Sequence, residues 1–251
     1  MNKLKFLYSK TLVYYLCEEF RVRYNFKYVL PKIQQIELEG LKLDVSALSP
    51  KIRNRLINGG YEAHEKTMCR DFLAPSDSVL EIGGAIGFIG LICQKEMGVK
   101  KYIVFEANPR TVEILRRNYE LNGVKANVLN MALAHSDGEV ELEVGTDFWE
   151  NSIVYDSAKN EGRKTVRVPA GSLSTLLRLT PFKANVLIID VEGAEQFIDF
   201  AQIPEEVNKV IIELHPKVIG QEAAYNIVAA LISKGFRVAR EEEGTFVFLR
   251  K

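Results

Sequence analysis

The side chains best suited to chemistry fall in a few short stretches of this 251-residue chain. Asp190, Glu192 and Glu195 follow the apolar run Leu187-Ile188-Ile189, and Glu213 and His215 close another, Val210-Ile211-Ile212. A carboxylate that ends a buried strand is costly to desolvate unless it is paired or functional, so packing alone does not explain Asp190. His215 is the first candidate for a general base, because an imidazole titrates near pH ~6.5 and Glu213 stands beside it. The plain alternative is a histidine that caps the loop before Pro216. Asp190 is the second candidate base. Glu192 and Glu195 would share a helix face, and acids in a first helical turn stabilise it by about 0.3–1 kcal/mol each. Glu192 and Glu213 are also candidate substrate contacts.

A second constellation lies upstream. Val79-Leu80-Glu81-Ile82 reads as a buried strand running into Gly83-Gly84-Ala85-Ile86-Gly87, and Glu106 ends the next apolar run, Tyr102 to Phe105. Glycines let a backbone approach a ligand where a Cβ would collide, and an acid at the tip of the second strand can accept both hydroxyl protons of a ribose. A dinucleotide pyrophosphate requires Gly-x-Gly-x-x-Gly. Here Ala85 and Phe88 stand at the second and third glycine positions. The spacing Glu81-x-Gly83-x-x-x-Gly87 instead suits S-adenosylmethionine, whose sulfonium and amino-acid tail carry no phosphate. Glu81, Gly83, Gly84, Gly87 and Glu106 are therefore candidate cofactor contacts, with S-adenosylhomocysteine as the product. A tight strand-to-helix turn, common to α/β proteins, is the competing account of the glycines.

These residues need a scaffold that gathers strand ends. Short β-branched runs at Ser78 to Ile82, Tyr102 to Phe105, Asn127 to Met131, Val186 to Asp190 and Val210 to Leu214 alternate with helical patterns at Arg110 to Leu121, Glu195 to Ala201 and Gln221 to Lys234. That alternation predicts a doubly wound, mostly parallel sheet with helices on both faces. Phe236 to Arg240 and Thr245 to Leu249 predict a closing antiparallel hairpin. Upstream, Ile33 to Leu38 and Leu41 to Val45 predict a small hairpin about Glu39-Gly40, and Tyr61 to Leu73 a helix. An irregular insertion over Gly138 to Thr180 carries Trp149 and Asn151, candidate substrate contacts, since loops at strand carboxyl ends close over the ligand crevice. Trp149 could equally be an ordinary hydrophobic anchor.

Composition limits the remaining choices. Lysine plus arginine equals aspartate plus glutamate, 33 each, and such a balance argues against a general nucleic-acid binder. Cys17, Cys69 and Cys93 are sparse and odd in number, which fits buried thiols in a reducing, cytoplasmic setting. Residues 61–251 suffice for one α/β domain, leaving 1–60 as an N-terminal extension. That extension is basic and aromatic up to Tyr28 and its apolar run is too short to span a bilayer, which takes about 20 residues. A helix packed on its own domain is the first reading of it; a homodimer contact and peripheral membrane contact are the others.

Taken in order, Tyr61-Glu62, the Glu81 to Gly87 turn, Phe105-Glu106-Ala107-Asn108-Pro109, Asn118 with Asn122-Gly123, Ala132-Leu133 before Asp137-Gly138, Ile189-Asp190-Val191-Glu192-Gly193-x-Glu195 and Glu213-x-His215 resemble the FkbM-type S-adenosylmethionine-dependent methyltransferases. The resemblance runs from Tyr61 to His215. It implies a class I methyltransferase fold, Rossmann-like, acting on a hydroxyl of a sugar, glycan or secondary metabolite, and it adds Tyr61, Ala107, Asn108, Ala132 and Asp190 to the cofactor side. The family usually has aspartate at Glu81, alanine-asparagine at Gly84-Ala85, proline at Ala107, aspartate at Ser174 and lysine at Ile188.

The implied chemistry is in-line methyl transfer to a small-molecule or glycan oxygen, largely by positioning, with a base adding about 10²–10⁴-fold. No metal site is assigned; Asp190, Glu192, Glu213 and His215 gathering a divalent cation is a less favoured arrangement. A noncatalytic binding or assembly module that keeps the cofactor fold is the alternative function. A nicotinamide-dependent oxidoreductase is a third reading, which the missing glycine disfavours.

Overall fold

The hairpin expected about Glu39-Gly40 forms: β1 (Gln35–Leu38) and β2 (Leu41–Asp44) pair antiparallel. Both turn residues take positive φ, 53° and 77°, which matches the right-handed twist of the flanking strands. Helix α1 (Pro50–Ile57) follows, its amino end capped by the Ser49 hydroxyl. These elements belong to the first of two compact units, Met1–Tyr61 and Glu62–Lys251. The computed structural model describes residues 30–125, 127–143, 152–153 and 165–250. Cys17, the aromatic basic segment with its expected membrane or subunit contact, Trp149 and Asn151 lie outside the described residues.

The second unit opens with α2 (Ala63–Phe72) and β3 (Ser78–Ile82), then α3 (Phe88–Leu91), which runs on into a π turn at Ile92–Glu96. Strand β4 (Lys101–Glu106), helix α4 (Pro109–Leu121) and β5 (Asn127–Asn130) come next. A smaller sheet takes β6 (Ala132–Leu133), β7 (Gly138–Glu143), β8 (Ser152–Ile153) and β9 (Thr165–Gly171). Helix α5 (Leu173–Leu179), capped by Ser172, then leads to β10 (Val186–Ile189) and β11 (Lys209–Glu213). The chain closes with the single turn α6 (Pro216–Ile219), helix α7 (Gln221–Ser233), β12 (Arg237–Glu242) and β13 (Thr245–Leu249).

The main sheet has seven strands in the order β12-β13-β11-β10-β3-β4-β5. Strands β11, β10, β3, β4 and β5 are parallel, and β13 runs antiparallel between β11 and β12. This is the class I methyltransferase arrangement, with the C-terminal hairpin where the sequence places it. Every residue of β3 and β10 is buried, and Leu80, Ile82, Phe105, Leu187, Ile212 and Phe248 are packed into one cluster with Leu231 of α7. Such two-sided burial is what near-continuous hydrophobic strands require. From β3 the chain builds outward through β4 and β5, then crosses back to lay β10 on the other side of β3. That reversal is a topological switch point, and ligands bind in the crevice outside the strand carboxyl ends there.

Two expectations are modified. Within the segment expected to be irregular, β7, β8 and β9 are ordered strands that join β6 in a four-stranded sheet, with strand order β6-β9-β7-β8. Alternation along β7 and β9 turns Leu142, Val168 and Ala170 into a small apolar cluster with Ala132 and Ala134. The helix expected over Glu195 to Ala201 is two 3-10 turns, Ala194–Phe197 and Phe200–Gln202, separated by Ile198 in extended conformation at φ −77° and ψ 120°. The Asp199 side chain takes the Ala201 N–H, so a local cap competes with helical continuation.

Candidate active site

The cofactor side is built where β3 and β4 end. Gly83 donates its N–H to the Phe105 carbonyl at 2.8 Å, and its φ of 89° carries the chain out of the strand. A Cβ on Gly83 would sit 1.6 Å from the Asp190 carbonyl oxygen, so the ends of β3 and β10 approach at the switch point as only glycine permits. Gly84 and Gly87 serve internal packing: a Cβ there would meet Val104 Cγ1 at 2.1 Å and Tyr119 Cε1 at 2.7 Å respectively. All three glycines of the turn thus have a structural explanation.

Glu106 lies beside that turn. Its Oε2 accepts the Ala85 N–H at 2.9 Å and its Oε1 the Asn108 N–H at 2.8 Å, which fixes the carboxylate as an acceptor at the tip of β4. It is 9 % exposed. Burial pushes its pKa up to about 7, against the pull of the Asn108, Ala85 and Ala107 amides. Asn108 caps α4 through Oδ1 to the Arg110 N–H, while Ala107 and Ala132 pack in the small apolar cluster. Tyr61 is buried and closes the first unit. The strand-end set fits a nucleoside cofactor: an oriented acid stands where a ribose can be read, beside a turn drawn tight against the neighbouring strand end.

Glu81, expected at the crevice, is only 3 % exposed. Among the described residues its Oε2 has no hydrogen-bond partner, and it stands 3.2 Å from where a Gly90 Cβ would be, a point that the Tyr119 hydroxyl also crowds. Burial, reinforced by the charge of Glu106 and opposed by Tyr102, drives its pKa to about 8. In sheet register Glu81 lies opposite Ile188, the position where a lysine is usual in the family that the sequence resembles. Without that cation the acid is held neutral at pH 7.

On the other side of the switch point, His215 stands at the end of β11 among carboxylates. Its Nε2 is 3.3 Å from Glu192 Oε2 and 3.7 Å from both Asp190 Oδ1 and Glu213 Oε1, while Nδ1 is 3.3 Å from Glu195 Oε1. Burial lowers the imidazole pKa, but Glu195, Glu192 and Glu213 outweigh it and raise it to about 8. Asp190 is pushed well above the ordinary carboxylate range by burial, then by the charges of Glu62, Glu213, Glu192 and Glu65. Burial and the Glu65 charge raise Glu213 to about 7, with His215 opposing. Asp190, Glu213 and His215 each bring a ligand atom to within 4.8 Å of the others, a spacing that a divalent cation can bridge. The hydrogen bonds to Glu195 account for the placement of the ring without one.

The structure thus brings Asp190, Glu192, Glu213 and His215 together as expected from sequence. Two further carboxylates join them. Glu192 has φ +47° and Gly193 φ +105°, so Glu195 turns inward and is wholly buried instead of lining a helix face with Glu192. Its place two residues beyond the glycine was the available signal. Glu65 on α2 accepts the Thr245 hydroxyl at 2.6 Å and stands near enough to Glu213 for its charge to raise that carboxyl; a lone acid in an amphipathic helix gave no signal.

A family model for the methyltransferase FkbM domain matches residues 81–238, from β3 into β12. The chain belongs to the FkbM methyltransferase family. S-adenosylmethionine is the methyl donor of this family and fold. Solved structures similar to this FkbM-family chain include a methyltransferase FkbM from Methylobacillus flagellatus KT, at 13 % identity over 80 % of this chain and 53 % of that one, with TM-score 0.48. M. capricolum TrmK in complex with the cofactor product S-adenosylhomocysteine is 12 % identical over 74 % and 66 %, with TM-score 0.41. Precorrin-6y C5,15-methyltransferase of Geobacter metallireducens GS-15 is 10 % identical over 76 % and 88 %, with TM-score 0.44. The chain spans just under two thirds of TrmK and about half of the M. flagellatus protein. No curated protein sequence matches it.

Proposed function

We propose that this FkbM-family chain is an O-methyltransferase for a hydroxyl of a sugar, glycan or secondary metabolite, with residues 61–251 as the catalytic domain and 1–60 as an extension. The observation that carries this reading is an imidazole, His215, only 14 % exposed and with Nε2 set among Asp190, Glu192 and Glu213 at the strand ends beside the switch point. When bound, S-adenosylmethionine supplies a methyl group on a sulfonium, whose C–S bond breaks with its electron pair returning to sulfur. Glu106 would hold the ribose hydroxyls, and Gly83 and Ala85 would supply the backbone close to it. In that reaction His215 would take the acceptor's proton at Nε2, leaving the acceptor oxygen free to attack the methyl carbon that the donor would supply. Glu192 at Nε2 and Glu195 at Nδ1 would keep the resulting imidazolium compensated.

Ile188 in place of the family's lysine favours a second reading, a noncatalytic module that binds the cofactor. Incubation with methyl-labelled S-adenosylmethionine and a panel of hydroxylated sugars and glycans separates the two. Label transfer that His215→Asn abolishes supports the enzyme. Micromolar cofactor binding with no transfer to any acceptor supports the module.

A further inference from the structure

We propose that Glu195 is a positioning residue of this site, its buried carboxylate holding His215 in the tautomer that leaves Nε2 free to take the acceptor's proton. The inference rests on the reading of His215 as the base. Glu195 leaves the turn after β10 and reaches across to the end of β11, where Oε1 accepts the His215 backbone N–H at 2.8 Å and faces ring Nδ1 at 3.3 Å. Its Oε2 accepts the Gly193 N–H at 2.7 Å. Backbone amides can only donate, so both carboxylate oxygens are already committed as acceptors. The ring atom meeting Oε1 must then be the donor, which fixes the proton on Nδ1. A second-sphere hydrogen bond of this kind sets which imidazole nitrogen is reactive.

Burial supports the assignment. Glu195 is 0 % exposed, and an ionised carboxylate in that setting persists only with close hydrogen-bonded compensation. Burial would raise its pKa, but His215 and backbone amides hold it below the ordinary range. The turn that delivers it is constrained as well: a Cβ on Gly193 would lie 2.6 Å from Val218 Cγ1. Nε2 meanwhile faces Asp190 and Glu192 from the β10 loop and Glu213 from β11, and Glu65 of α2 stands behind Glu213.

The test is histidine 15N NMR at a pH where the rings are neutral, simplified because the chain has three histidines. In the wild type His215 is expected as the Nδ1–H tautomer. In Glu195→Ala the acceptor that faces Nδ1 is gone while Asp190, Glu192 and Glu213 still face Nε2, so the Nε2–H tautomer should gain at least about tenfold in relative population; Glu195→Asp, which keeps the charge, should retain much of the original ratio. A wild-type ring in the Nε2–H form, or an unchanged ratio in a folded Glu195→Ala, would overturn the proposal. Labelled-methyl transfer separates it from the reading of His215 as base: an altered tautomer with full transfer in His215→Asn removes that reading and leaves Glu195 as the group that sets the ring.

Discussion

The carbonyl oxygen of Asp190 occupies the space where a side chain on Gly83 would begin, 1.6 Å from its ideal Cβ position. This contact joins the end of β3 to the end of β10 at the switch point. Gly83→Ala therefore has to displace a backbone carbonyl and also strain a φ of 89°. Loss of at least about 2 kcal/mol of stability is expected, measured by thermal or urea unfolding. Gly123→Ala, at φ 64° with nothing within 4 Å of the added carbon, should cost about 1 kcal/mol. Equal costs at the two sites would show that the close approach is relaxed in solution.

Glu106→Ala should weaken S-adenosylmethionine binding by roughly 10- to 150-fold, the equivalent of about 1.5–3 kcal/mol for a charge-assisted hydrogen bond. Because burial raises the Glu106 pKa to about 7, wild-type affinity should rise with pH through that value as the acceptor ionises. Calorimetry across about pH 6 to 8.5 reads both effects. An unchanged affinity in a folded variant would remove Glu106 from the cofactor site.

The rate of methyl transfer should climb through a pH of about 8, where His215 loses its proton. The stability contribution has the opposite sense. A histidine pKa raised in the folded state stabilises fully below its unfolded value of 6.5, and that contribution is lost as pH rises through about 8. His215→Asn should lower the rate by about 10²–10⁴-fold with little change in cofactor affinity. A flat pH–rate profile would argue for Asp190 or for catalysis by positioning alone.

Glu81 makes a separate prediction for stability. Its pKa rises from 4.5 unfolded to about 8 folded, so the folded state binds more protons across that window and loses stability as pH increases, by about 1.4 kcal/mol per unit for one proton. Glu81→Gln removes this dependence. Its stability relative to wild type should improve steadily between pH 4.5 and about 8 and stay constant outside that range. Ile188→Lys, across the register from Glu81, should restore a cation and shift the window downward.

Chelation by EDTA should leave S-adenosylmethionine binding and transfer within about twofold of untreated protein, since charge-assisted hydrogen bonding already organises His215. Activity lost to EDTA and restored by magnesium or manganese would instead assign Asp190, Glu213 and His215 to a cation.

The sequence by itself determined the sheet and most of its contents. Unbroken apolar runs such as Val186 to Ile189 bury on both faces, and their parallel placement carries Asp190, Glu213 and His215 to the same edge. Glu106 was legible because an acid after an apolar strand and beside a glycine turn has few structural uses. Only the tertiary structure decided the rest, because it depends on contacts between residues far apart in the chain. It buried Glu81, whose Oε2 lies near Gly90 in space that the Tyr119 hydroxyl shares. It also turned Glu195 inward, since two successive residues with positive φ, Glu192 and Gly193, aim its carboxylate at His215, twenty residues away. Periodicity reports which face of an element is apolar. It does not report which polar group on a neighbouring strand end will meet a particular carboxylate, and that pairing sets the proton positions in the site.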